Sequence, residues 1–332
     1  MDEAAVEWLL DSEEPAVRLA VRRDLLDEPA EEDAERILTG PTVTALLSGQ
    51  QPNGGFGGVG GPYAKWTGAH WRLVSLVDLG VPAAEPRIAA ATEHELAWIA
   101  RQGPYRDKPA EIGGLALLCG SVGGNALAVS SRLGLAADPR ARKVAETLIS
   151  AQWPDGGWNC DSKALGRRSS FHETLSTAWA LHEYAAATGD QAASAAAERA
   201  VELFLEHRLL YSLGTGVRRR GRAHRRPAGE VINPRWLELR YPSYWHYDIL
   251  RVLIILSRMG KLGDPRAGDA LDELERRRLP DGRWAADGRW WNPAGSATTP
   301  EVIDWGQPGQ PNLMITLNAL QVLHAAGRVS FG

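Results

Sequence analysis

The chain alternates two kinds of helical pattern. Stretches such as 192–208, "AASAAAERAVELFLEHR", set an apolar stripe against a charged face, as surface helices do. Stretches such as 172–189, "HETLSTAWALHEYAAATG", and 244–260, "YWHYDILRVLIILSRMG", are apolar around most of their circumference and belong in an interior. The alternation predicts inner helices near 14–27, 66–80, 117–134, 171–188, 243–260 and 312–326. Outer helices are expected near 33–50, 85–101, 139–152, 192–207 and 266–278. Strand-like alternation is scarce. The expected fold is therefore all-α, with five to six helix pairs closed into a ring around a central cavity. It forms one domain over 1–332, with a basic inserted loop at 214–240 as the clear irregular insertion.

The turns between helices repeat. "AQWPDGGWNCD" at 151–161 has a counterpart in "QQPNGGFGG" at 50–58, a shorter one in "LPDGRW" at 279–284 and a degenerate one in "RQGPY" at 101–105. Pro fixes φ and Gly accepts φ > 0, so Pro-Asp-Gly-Gly makes a tight turn. Phe56, Tyr105 and Trp158 follow at steps of 49 and 53 residues, and Tyr211 continues the rhythm. A period near 50 indicates stacked units, each too small to bury its own apolar face.

These Gln-Trp…Asp-Gly-Gly-Trp units resemble the QW-type repeats of squalene–hopene cyclases and the related β-subunits of protein prenyltransferases. The resemblance spans nearly the whole chain in repeat and helix order. It implies an α/α toroid, the terpenoid cyclase-like fold, and an apolar, isoprenoid substrate. It does not fix the chemistry.

In such a ring the N-termini of the inner helices converge on one mouth. "YAKWTGAHW" (63–71), "LCGSVGGN" (118–125), "NCD" (159–161), "RRSSFHET" (167–174), "YPSYWHYD" (241–248) and "QPNLM" (310–314) would meet there. Lys65, Trp66, Trp71, Asn125, Trp245 and Asn312 are the expected substrate contacts, and aromatic faces suit a developing cation. Large aromatics also simply fill cores, the plainer reading for Trp179. Arg167 and Arg168 are placed to clamp a diphosphate, with Lys65 assisting, since Arg binds phosphate bidentately. The six arginines between 218 and 226 offer a second clamp or a solvated loop.

Two chemistries fit these residues. The cyclases start with the middle Asp of an Asp-x-Asp-Asp motif, which this sequence lacks; Asp161, Glu173 or Asp248 would have to serve, with burial raising a pKa. His172 and His246 are further candidates for proton transfer. Alternatively, Cys160, His172 and His246 hold Zn2+, completed by Cys119, Asp161 or Asp248, with one position open for catalysis. Prenyltransferase β-subunits hold zinc with an Asp and a Cys at one inner helix and a His at the next. His246 matches that His, but their Asp-x-Cys order is absent because Cys160 precedes Asp161. Lanthionine cyclases, another toroid group with a Cys, Cys, His zinc site, are matched no better, since their paired Cys-His motif is missing. The plainer alternative is a buried thiol acting as a small hydrophobe, with histidines bonded to backbone.

Composition narrows the partners. A net charge of −4 argues against nonspecific nucleic-acid binding, and no apolar run reaches transmembrane length. The acidic start, "MDEAAVEWLLDSEEPAV", lacks the basic opening of a signal peptide, so a cytoplasmic location is expected. Two cysteines in a reducing compartment point to free or metal-bound thiols. The expected partner is a small apolar molecule, the expected state a monomer or homodimer, with peripheral membrane contact left open. A non-catalytic toroid that binds a peptide or lipid is the remaining rival.

Overall fold

The computed structural model describes residues 2–58, 60–162, 168–214, 216–219, 222–225 and 227–331. Its helices are α1 (Asp2–Leu10), α2 (Pro15–Asp24), α3 (Glu31–Arg36), α4 (Pro41–Leu47), α5 (Ala69–Asp78), α6 (Pro86–Ile99) and α7 (Gly103–Arg106). They continue as α8 (Gly120–Arg132), α9 (Pro139–Ser150), α10 (Phe171–Thr188), α11 (Gln191–Glu206), α12 (Ile249–Arg258), α13 (Gly268–Arg276) and α14 (Leu313–Ala325). Three antiparallel ribbons complete the set: β1 (Ala110–Ile112) with β2 (Leu115–Leu117), β3 (Tyr211–Leu213) with β6 (Ala228–Val231), and β4 (Gly216–Arg219) with β5 (Arg222–Arg225).

The helices form an α/α toroid. Among the inner helices α5 packs on α8, α8 on α10, α10 on α12, α12 on α14, and α14 on α2. The ring closes where the C-terminal ends of α2, α5, α8, α12 and α14 surround a cavity of about 410 Å³. Outer helices α4, α6, α9, α11 and α13 lie between successive inner ones. A sixth, α1, packs on α2 and α14; its nine residues carry too short a stripe for the hydrophobic pattern to place. The inserted segment is more regular than its sequence suggested. Two ladders, β3–β6 and β4–β5, carry most of it, followed by a 3-10 turn at Pro234–Leu237.

The repeated turns share one hydrogen-bond plan. Gln51, Trp153 and Leu279 each donate their N–H to the carbonyl four residues on, at 2.7, 2.8 and 2.8 Å. Gly54, Gly156 and Gly282 donate back across the turn with φ of +83, +94 and +86°, a region that favours glycine. The aromatic that follows is buried in two copies, where Trp158 and Trp284 donate Nε1–H to the carbonyls of Leu148 and Leu274, each at 2.8 Å. Gln152 ties the turn to the next unit, donating to Gly156 O at 2.7 Å and to Ala196 O of α11 at 2.8 Å. Gln50 does the same with Gly54 O and Arg87 O. The degenerate copy is not such a turn: Gln102 starts α7 and bonds to Trp98 O at 3.2 Å.

Three inner helices begin later than the pattern suggests, α8 among them at Gly120 rather than 117. α5 starts at Ala69 and α12 at Ile249, so Trp66, Trp245 and His246 lie in the loops ahead of them. Asp248 accepts from Arg251 N at 2.8 Å and caps α12, and Tyr244 takes a φ of +51°, which helix excludes. Sequence pattern misses this because "YPSYWHYD" is as apolar as the helix it precedes.

Candidate active site

The approach of α8 to α10 brings the two cysteines and a carboxylate together. A Cβ on Gly124 would stand 2.7 Å from the Ser176 backbone, and one on Gly120 would stand 2.6 Å from Thr177 Oγ1. Glycine at both positions lets the helices touch. Cys119 caps the N-terminus of α8, and Glu173 sits in the first turn of α10. The chain after the 153–158 turn is pinned by Leu118 N donating to Asn159 O at 3.0 Å, and Asn159 itself donates to Arg168 O at 2.9 Å. That places Cys160 Sγ 3.5 Å from Glu173 Oε1. The other oxygen, Oε2, accepts from Ser121 N at 2.8 Å and Ser121 Oγ at 2.9 Å.

Cys119 Sγ, Cys160 Sγ and a Glu173 oxygen all lie within 4.8 Å of one another, a grouping that could hold a metal ion. The hydrogen bond between the thiols pulls the Cys119 thiol down and pushes the Cys160 thiol up; burial and Glu173 push Cys160 further. Both thiols border an apolar cavity of about 350 Å³ walled by Tyr63, Trp98, Tyr105, Leu117 and Val122. Tyr105 donates to Cys119 O at 3.3 Å, in space left by Gly123. Burial, then the charges of Glu173 and the thiols, raise Tyr63 to about 12, so it stays a phenol.

From this cavity an aromatic wall runs across the mouth. Tyr63 packs on Trp71 with centroids 5.1 Å apart, Trp71 on Trp66 edge-on at 4.8 Å, and Trp66 on Tyr244 face to face at 3.8 Å. Beyond it His246 lies between Trp245 and Trp290, at 4.0 and 3.6 Å. Lys65 Nζ stands 5.3 Å from Trp66 and 5.4 Å from Trp245. Behind the wall Tyr244 donates to Glu301, a carboxyl that burial raises.

The remaining candidates have other partners. His172 Nδ1 accepts from Tyr247 N at 2.8 Å, and burial lowers it to about 4. His246 Nδ1 faces Ser243 O at 3.1 Å, and burial lowers it to about 3. Their rings stand 6.1 Å apart. Neither belongs to a metal-capable grouping among the described residues; the grouping with Cys160 is made by Cys119 and Glu173. Asp248 is buried and raised to about 7 despite its capping bond, while Asp161 is exposed. Asn312 is a cap of α14, accepting from Ile315 N at 3.0 Å. Asn125 is fully buried in α8, and its amide finds no hydrogen-bond partner among the described residues. Arg168 meets Asn159 through its carbonyl; Arg167 and the side chains of 215–226 lie outside the described residues. Sequence reasoning missed Tyr63, Tyr105, Tyr244 and Glu301. It brought Glu173 to the same mouth as the thiols but left it out of the metal set, although the glycine spacing at 120 and 124 signalled close helix contact.

No family model matches the chain, and no curated protein matches it. Among solved structures it is similar to a protein from Actinoplanes, at 18% identity over 98% of both chains with a TM-score of 0.42. It is also similar to the type II terpene cyclase MstE from Scytonema, at 15% identity over 87% of this chain and 96% of that one, with a TM-score of 0.31. A variant of that cyclase in complex with geranylgeranyl dihydroxybenzoate matches to the same extent.

Proposed function

We propose that this protein is an enzyme that takes an apolar substrate of the isoprenoid class into the cavity at the ring's mouth and cyclises it by proton-started, carbocation-type chemistry. One observation carries the reading: a cavity of about 350 Å³ with aromatic and aliphatic walls opens on a small set of convergent polar groups. Apolar walls with a few placed polar groups are the usual form of a small-molecule site. The substrate class is supported by the resemblance of the repeated turns. Tyr63, Trp98 and Tyr105 in the cavity wall supply the aromatic surface that a migrating positive charge needs.

The proton must come from a group that holds it at neutral pH. Asp248, which burial raises to about 7 and which caps α12 outside the cavity lining, is the donor tested in this reading. Glu173 faces the thiols and helps order the cavity floor. His172 and His246 are neutral at that pH and act as acceptors for the proton lost at the end of the cascade. Cyclisation conserves mass while removing an alkene. Farnesyl- and geranylgeranyl-bearing probes are therefore incubated with the protein and followed by chromatography with mass detection. A product of unchanged mass and shifted retention, abolished in Asp248→Asn, supports the reading. Probes that neither bind nor change refute it.

A further inference from the structure

We propose that Cys119, Cys160 and Glu173 form a binding site for one thiophilic divalent cation, Zn2+ by the nature of its donors, at the border of the apolar cavity. The sequence holds only these two cysteines, and the fold brings both to one carboxylate from three separate segments. Ligands of a tetrahedral zinc with sulfur and oxygen donors stand about 3.3–3.8 Å from one another. The three donors here lie within 4.8 Å, so side-chain rotation of about 1 Å closes them on an ion.

Two further features point the same way. Glu173 is buried, and among the described residues no lysine or arginine makes an ion pair with it. Among the described residues its Oε1 receives only the 3.5 Å contact from Cys160. A buried carboxylate is costly unless it is paired, and a bound ion would pair it. Ser121 meanwhile holds Oε2 with two hydrogen bonds and turns Oε1 toward the thiols. That is the orienting role that the partners of metal ligands serve. Both thiols face the cavity, so three protein donors leave the fourth position on its side, open to water or to a polar group of the substrate.

The balance is simple. A divalent ion, two thiols and one carboxylate give a complex with two metal–sulfur bonds and one metal–oxygen bond, and the two thiol protons pass to solvent. Binding is therefore tighter at higher pH.

The test reads metal and not turnover, so it fails or succeeds independently of the cyclisation. Untagged full-length protein is reduced, stripped with a chelator and titrated with Co2+, then with Zn2+. The expected result is one Co2+ per chain, a near-ultraviolet thiolate-to-cobalt band, and displacement by Zn2+. The band falls to about half in Cys119→Ser and in Cys160→Ser, and is lost in the double variant. Ser121→Ala keeps the band and weakens binding about 10–100-fold. Cys119 is exposed, so its serine variant folds whatever the site does. No stoichiometric uptake by the parent protein, or a band unchanged in Cys119→Ser, overturns the site.

Discussion

A carboxyl that caps a helix ordinarily titrates low, because the N–H group it accepts favours the charged form. Asp248 accepts from Arg251 N, yet burial carries it from 3.8 up to about 7. The folded state thus holds a proton that the unfolded chain releases across that interval. Stability from this group is complete below pH 3.8 and is lost as pH rises through about 7. Asp248→Asn keeps a capping oxygen and cannot ionise. Its melting temperature is expected to exceed that of the parent at pH 8, with the gap closing toward pH 4; a gap independent of pH would remove Asp248 from this role. The two histidines have the opposite sign. Their pKa values fall from 6.5 to about 4 and about 3, so their contribution is present above 6.5 and is lost as pH falls through the lower values. In NMR titration the imidazole signals of His172 and His246 should stay in the neutral position down to pH 5. A midpoint near 6.5 for either would show that it is solvated.

At the scale of elements, the glycine of two of the repeated turns, Gly54 and Gly156, does two jobs. Gly156 has a φ of +94°, and a Cβ there would also stand 2.5 Å from Arg199 O of the neighbouring outer helix. Gly189, closing α10 with a φ of +75°, has nothing within 4 Å of such a Cβ. Gly189→Ala should cost about 1 kcal/mol from backbone conformation alone. Gly156→Ala should cost about 2–4 kcal/mol, because steric exclusion between units adds to the strain. Equal losses in denaturant unfolding would mean that the turn does not position the next unit. Gln152→Ala removes the hydrogen bonds to Gly156 O and to Ala196 O that tie the turn to α11 and should cost about 1–2 kcal/mol. These turns were legible in the sequence because a tight turn restricts residue type at fixed spacing. The inner helices were legible because burial all round leaves no polar face. The mouth was not: Trp66, Trp245 and His246 are aromatic neighbours of helices without being in them, and local pattern cannot tell those apart. Which donors share a site was legible only indirectly: Cys119 and Glu173 meet through the contact of α8 with α10, whose trace in the sequence is the spacing of Gly120 and Gly124.

At the scale of the whole molecule, ring closure concentrates like ends of the helices. The C-terminal carbonyls of α2, α5, α8, α12 and α14 face one cavity, and a set of partial negative charges favours cations there. Arg258, at the end of α12, supplies one, and Arg251 lies beside it, both over Trp179 with guanidinium carbons 5.4 and 5.0 Å from its ring. Both also share one carboxylate, Asp78 of α5, at 3.3 and 3.4 Å. Asp78 therefore links α5 to α12 across the ring, between helices far apart in sequence, and it keeps two adjacent guanidiniums from repelling. Asp78→Asn preserves the shape and removes the charge. Breaking a buried pair by deleting one partner costs about 3–5 kcal/mol, because the remaining charge stays buried and unpaired. A closed ring has no terminal unit to fray, so the loss should appear as one cooperative calorimetric transition at lower temperature, where an open stack of repeats would unfold in steps. The variant's cobalt uptake at the opposite end should be unchanged while it is folded. An unaltered melting temperature would show instead that the helix carbonyls alone hold the two arginines, and that the α5–α12 link contributes nothing to closing the ring.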